Sequence, residues 1–75
     1  MATYQEYRTA LVELINGIEA ENGLEEENGL LLLHLLDSKE KISRFAEWCR
    51  SRLVDGKLQA TETEICRAAV QASKE

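Results

Sequence analysis

The sequence places an Asn-Gly dipeptide at three points six residues apart, at Asn16-Gly17, Asn22-Gly23 and Asn28-Gly29. Glutamate-rich segments follow the first two dipeptides, whereas leucines follow the third and continue to Leu36. Asn-Gly favours turns because glycine tolerates positive φ. A spacing of six rotates each glycine by about 240° on a helix, so the three cannot share one face. The repeat therefore predicts a water-facing connector that turns at Asn22-Gly23 and leads into a buried segment.

The length and composition indicate one helical domain that spans residues 1–75. The chain is 44% hydrophobic and lacks proline, but it has only one Phe, one Trp and two Tyr. Its core must then consist mainly of aliphatic side chains, and a homodimer would bury further apolar surface. No basic segment followed by an apolar one begins the chain, and no apolar run approaches the roughly 20 residues that span a bilayer. We therefore expect a cytoplasmic protein without a membrane segment.

Helical periodicity predicts an all-α fold, a compact bundle of four short helices at about 4–21, 25–36, 39–54 and 62–73. Thr3 and Thr61 are each followed by glutamate at capping-box spacing, which favours helix starts there. Asp37 or Ser38 caps the third helix, and Asp55-Gly56 ends it. An interior glycine costs about 1 kcal/mol relative to alanine. Asn16-Gly17 thus leaves open a first helix that ends one hexad earlier.

The leucine run from Leu30 to Leu36 predicts the innermost helix, because it is apolar on every side except at His34. A fully buried strand over the same residues is the alternative, but leucine is not β-branched and no partner strand is visible. Within such a helix His34 is expected to be buried and neutral, since desolvation disfavours the charged imidazole.

The third helix carries the candidate contact face. An apolar stripe contains Ile42, Phe45, Ala46, Cys49 and Leu53. Trp48 lies more than about 100° from the centre of this stripe, on the side of three cations. Trp and Arg are enriched at binding hot spots. The candidate partner-binding residues are Trp48, Lys41, Arg44 and Arg52. In the alternative interpretation, Trp48 lies at the edge of the core and the arginine stems cover it.

The charge is distributed unevenly along the chain. Residues 1–37 carry eight acids and one arginine, a net charge of −7, whereas residues 38–58 carry six cations and three acids, a net charge of +3. Nucleic-acid binding is disfavoured by a pI of about 4.9 and by Glu62 and Glu64 at the start of the last helix. The acidic segment from Glu19 to Glu27 could imitate nucleic acid, as in a decoy or antitoxin, or simply form a solvated connector.

The sequence offers no catalytic residue, cofactor site or metal site, so we expect a protein that is not an enzyme. His34 is the only histidine. The consecutive carboxylates of Glu25, Glu26 and Glu27 cannot converge on one ion from a helix. Cys49 and Cys66 lack zinc-ligand spacing, but they lie at similar distances from the predicted turn and are expected to come close together.

The favoured hypothesis is a small non-enzymatic protein–protein interaction module or regulator that binds another protein through the face around Trp48. One alternative is a nucleic-acid-associated accessory protein or an acidic, antitoxin-like decoy inhibitor. Another is a structural homo-oligomer in which a second chain completes the leucine run.

Overall fold

The computed structural model describes residues 2–74, which form four helices and one short β-hairpin. The elements are α1 (Tyr4–Asn22), α2 (Glu26–Leu35), α3 (Lys39–Ser51), β1 (Leu53–Val54), β2 (Lys57–Leu58) and α4 (Glu62–Ser73). The predicted all-α bundle of four helices is confirmed.

The helices pack as a ring in the order α1, α2, α4, α3, because α1 and α4 each contact both α2 and α3. The radius of gyration of 11.3 Å is close to the ~11 Å expected for a compact chain of this length. Every helix contributes to the central core. Its members are Leu11, Ile15, Ile18, Leu24, Leu32, Leu36, Ile42, Phe45, Cys49, Ile65, Ala69 and Ala72.

Side-chain caps fix three of the four helix starts. Thr3 and Thr61 each accept a hydrogen bond from the backbone N–H of the glutamate three residues later, and that glutamate's carboxylate accepts from the threonine N–H. Both predicted capping boxes are thus present. Ser38 caps α3, since its hydroxyl accepts a hydrogen bond of 3.2 Å from the Lys41 backbone N–H.

The three Asn-Gly dipeptides have three different structural roles. Asn16-Gly17 lies within α1, which continues without interruption to Asn22. Gly23 ends α1 with a φ of +69°, as predicted for the second dipeptide. Asn28-Gly29 lies within α2, where Gly29 is buried against α1. A Cβ at Gly29 would overlap the Glu19 carboxylate and approach Ile15 Cγ2 to 3.1 Å. The third glycine therefore allows α1 and α2 to pack closely.

Asn22 connects the end of α1 to the segment that precedes α4. Its side-chain amide donates hydrogen bonds of 2.9 Å to the Leu58 carbonyl and 3.3 Å to the Ala60 carbonyl. These hydrogen bonds hold residues 58–60 against the end of α1 and satisfy two of their backbone carbonyl groups.

Glu62, at the start of α4, also binds residues at the start of α2. Its Oε2 accepts hydrogen bonds from the Glu25 backbone N–H at 2.8 Å and from the Asn28 amide at 2.7 Å. These bonds lower the pKa of the Glu62 carboxyl because they stabilise its charged form. We refer to the hydrogen bonds that link Asn22, Glu25 and Asn28 to residues 58–62 as the clasp.

The third helix ends earlier than the sequence predicts. It ends at Ser51, and the following residues form an antiparallel hairpin in which Leu53 pairs with Leu58 and Val54 with Lys57. Asp55 and Gly56 occupy the turn with φ of 54° and 77°. Positive φ at both central positions is typical of the type I′ turns that join short hairpins. Leu53, expected on the buried stripe, is instead 49% exposed.

The leucine helix is not the innermost element, so that prediction is wrong. Leu32 and Leu36 are fully buried, whereas Leu30 is 64% and Leu31 42% exposed. Its main contacts are with α1 and α4, and the side of the helix that bears Leu30 and Leu31 is exposed to solvent. His34 lies on this side and is exposed, which corrects the expectation of a buried imidazole.

Candidate functional site

Three of the four predicted contact residues line one groove between α3 and α4. Arg44 and Trp48 lie one helical turn apart on α3, and Arg52 immediately follows the helix. The groove has a volume of about 590 Å³. Lys41 lies outside it, at the corner between α2 and α3, with its Nζ 2.8 Å from Asp37 Oδ1. The wall from α4 consists of Glu64, Arg67, Ala68, Gln71 and Ala72.

Trp48 is partly buried at the boundary between the core and the groove. Its ring stacks on Phe45 with the centroids 6.0 Å apart, and the Arg52 guanidinium lies 5.2 Å from the indole centroid. This arrangement matches the interpretation of a tryptophan at the edge of the core with an arginine over it. The indole nevertheless lines the groove, so its remaining surface is accessible to a ligand there.

Arg44 joins the two walls of the groove. Its Nε and Nη2 donate hydrogen bonds of 3.1 and 2.9 Å to the Ala72 carbonyl in the last turn of α4. A cation at this position also interacts favourably with the negative end of the helix dipole. Arg44 therefore helps to hold α4 beside α3, in addition to contributing positive charge to the groove.

Glu64 is the one acidic residue among the groove-lining residues described above. Its Oε1 accepts a 2.8 Å hydrogen bond from the Thr61 backbone N–H, and its Oε2 lies 3.8 Å from Arg52 Nη1. The hydrogen bond from Thr61, more than the nearby Arg52 and Arg67, lowers the pKa of the Glu64 carboxyl. Glu64 is thus ionised at neutral pH, and the described lining of the groove contains three arginines and one glutamate.

Arg67 completes the groove and was not among the candidates from sequence. It is exposed, and it makes no hydrogen bond or ion pair with any residue of the described 2–74 segment. One sequence signal could have identified it. Arg67 lies three residues after Glu64 and four before Gln71, a spacing that places the three on one side of the last helix.

The two cysteines lie outside the lining of the α3–α4 groove. Burial raises the pKa of the Cys49 thiol to about 11, and burial with the nearby Glu62 raises that of Cys66. Both are free thiols, protonated at neutral pH and therefore weak nucleophiles. Their close approach stays a prediction. Within residues 2–74, no three His, Cys, Asp or Glu side chains cluster as metal ligands would.

None of the helices in the 2–74 segment combines the length and the apolar character needed to cross a bilayer. No protein family model, no curated protein and no solved structure matches this chain.

Proposed function

We propose that this chain is a non-enzymatic protein-interaction module and that the α3–α4 groove binds an acidic segment of another protein. The arrangement of Arg52 and Arg67 around the partly buried Trp48 carries this proposal. Arginines outnumber glutamates in the described lining of the groove, whereas acids outnumber cations in the chain as a whole, whose net charge is −5. Such a contrast directs acidic ligands to one place on the surface.

The groove offers two kinds of contact to such a partner. A guanidinium binds a carboxylate through two parallel N–H donors, and Arg67 has these donors available because no described residue occupies them. Trp48 supplies a rigid apolar surface beside them, the residue type most typical of binding hot spots. An acidic segment with one apolar side chain between its carboxylates would satisfy both.

Selection of short random peptides on the immobilised full chain, in the presence of nuclease, tests the proposal. Trp48 is the only tryptophan, so its emission then reports binding of each selected peptide at this groove. Enriched peptides should be acidic, and their affinity should fall as salt is raised. Arg67→Gln should weaken binding about tenfold, the effect of one lost charge-assisted contact. Arg50→Gln, on the other side of α3, is the matched control.

Peptides without an acidic bias, or equal affinity for wild type and Arg67→Gln, would contradict the proposal. Circular dichroism shows whether Arg67→Gln and Arg50→Gln are folded. Salt-sensitive binding of a DNA or RNA oligonucleotide that depends on Arg67 would instead favour the nucleic-acid alternative.

The exposed leucines of α2 favour self-association as a second candidate function. Leu30 is 64% and Leu31 42% exposed beside each other on one helix, and large exposed apolar patches mark interaction surfaces. Sedimentation should then show a dimer at micromolar concentration that Leu30→Gln dissociates. A monomer throughout that range would contradict this candidate.

A further inference from the structure

A second groove lies on the opposite side of α3, bounded by α1, α3 and the hairpin. It has a volume of about 370 Å³ and a largely apolar lining. Its apolar residues include Leu14 and Ile18 from α1, Ala46 from α3, and Leu53 and Leu58 from the hairpin. The side chain of Leu53 would gain the most from being covered, because it is 49% exposed.

Gly17 lies in this groove and has no structural role that an alanine could not fill. It is exposed in the middle of α1, and an added Cβ would meet no other heavy atom within 4 Å. Glycine destabilises the interior of a helix relative to alanine. Its absent side chain can offset this cost by allowing another group to approach the backbone closely. At Gly29 the group that approaches the backbone closely is α1 of the same chain. At Gly17 the space is open.

Two carboxylates flank Gly17 on the same side of α1. Glu13 and Glu21 are one helical turn before and after it, about 12 Å apart along the axis. Both are exposed, line the groove, and make no hydrogen bond or ion pair with another residue of the 2–74 segment. Arg50 of α3 also lines the groove, so the lining has two carboxylates on the α1 side and one guanidinium on the α3 side. An apolar floor with an acidic edge on the α1 side is complementary to an amphipathic helix that carries lysine or arginine along the side that contacts α1.

We propose that this groove binds a basic amphipathic helix of a second protein, which lies along α1 and crosses it closely at Gly17. Its apolar side chains face Leu14 and Leu53, and its cations contact Glu13 and Glu21. This site is separate from the α3–α4 groove and selects a partner of opposite charge. The chain would thereby bring an acidic segment and a basic helix together on the two sides of α3.

A displayed library of helical peptides with randomised surface positions, selected on the full chain, tests this proposal. Enriched helices should carry an apolar stripe with lysine or arginine along one edge. Gly17→Gln should weaken them about tenfold or more, because its side chain fills the crossing point. Ala20→Gln, an exposed position of α1 outside the groove, is the matched control and should bind as wild type.

Gly17→Ala separates binding from folding. It should raise the melting temperature by roughly 2–8 °C, since the helix propensity improves without a clash, and yet weaken the selected helices several-fold. Glu13→Gln with Glu21→Gln should weaken binding and reduce its salt dependence. Arg67→Gln should leave it unchanged, so failure here is distinguishable from failure of the acidic-peptide groove.

Three results would overturn the proposal. One is selection of no helices, or of helices without a basic edge. Another is equal affinity for wild type and Gly17→Gln. The third is a dimer of this chain that Gly17→Gln dissociates, because the occupant of the groove would then be a second copy.

Discussion

Replacing each repeated glycine by alanine should give three different effects on the free energy of unfolding. The chemical change is identical at Gly17, Gly23 and Gly29, and only the surroundings differ. Gly17 is exposed within α1, Gly23 has a φ of +69°, and Gly29 is buried against α1. The series therefore tests whether the three copies of the repeat have the separate roles described above.

The expected magnitudes follow from those surroundings. Gly17→Ala gains the helix propensity of alanine and stabilises the fold by about 0.5–1 kcal/mol. Gly23→Ala introduces a Cβ in the left-handed region at a cost of about 1–2 kcal/mol, partly offset by the reduced entropy of the unfolded chain, and destabilises by about 1 kcal/mol. Gly29→Ala gains propensity but must displace Glu19 and press on Ile15, so its effect lies between the other two.

Thermal unfolding followed by far-ultraviolet circular dichroism measures the series. The difference between Gly17→Ala and Gly23→Ala, about 1.5–2 kcal/mol, corresponds to roughly 6–16 °C in melting temperature for a domain of this size. Destabilisation by Gly17→Ala, or a Gly23→Ala variant as stable as wild type, would refute the assignment. Urea unfolding with an unchanged m-value confirms that the unfolded ensemble is comparable.

Three further predictions concern burial, pH and thiol reactivity. Leu32→Ala should cost about 2–5 kcal/mol in urea unfolding, and Leu30→Ala close to nothing; equal effects would contradict the one-sided burial of α2. The clasp lowers the pKa of the Glu62 carboxyl below its ordinary value of 4.5. The stability that the clasp adds to the fold is therefore complete above pH 4.5 and is lost as the pH falls through the lowered pKa. Glu62→Gln should therefore flatten the loss of stability in acid, and an unchanged pH profile would count against the clasp. Cys49, buried and with a pKa of about 11, should react with a thiol reagent only on unfolding; mass spectrometry of the labelled native protein would reveal any earlier reaction.

Local sequence signals predicted those features that depend on neighbouring residues. The capping boxes at Thr3 and Thr61 and the glycine that ends α1 were predicted because each involves contacts within a few residues. Asp55-Gly56 predicts a helix end from the sequence alone, but in the structure it forms the turn of the hairpin. The exposure of Leu30 and His34 could not be predicted, because the order of helices around the ring decides which side of α2 faces solvent.

The part of the candidate site that lies on a single helix could also be predicted from the sequence. Arg44, Trp48 and Arg52 share one side of α3, so helical geometry alone grouped them. Lys41 shares that side too, but its ammonium contacts Asp37 at the preceding corner. Arg67 comes from α4, and its place opposite Trp48 depends on the hairpin that turns the chain back. The residue pattern of one helix does not show which residues of other elements it will contact.

The clasp has a consequence for how the chain folds. Its hydrogen bonds join residues separated by 34 to 38 positions. Closing a loop of about 36 residues costs roughly 3 kcal/mol of chain entropy beyond a constant, more than one hydrogen bond returns. Once Asn22 has closed the loop, however, Asn28 and Glu62 are already near each other and their bond adds little further entropy loss. The acidic first half and the basic second half should therefore join in one cooperative step, with no stage at which a single bond of the clasp persists alone.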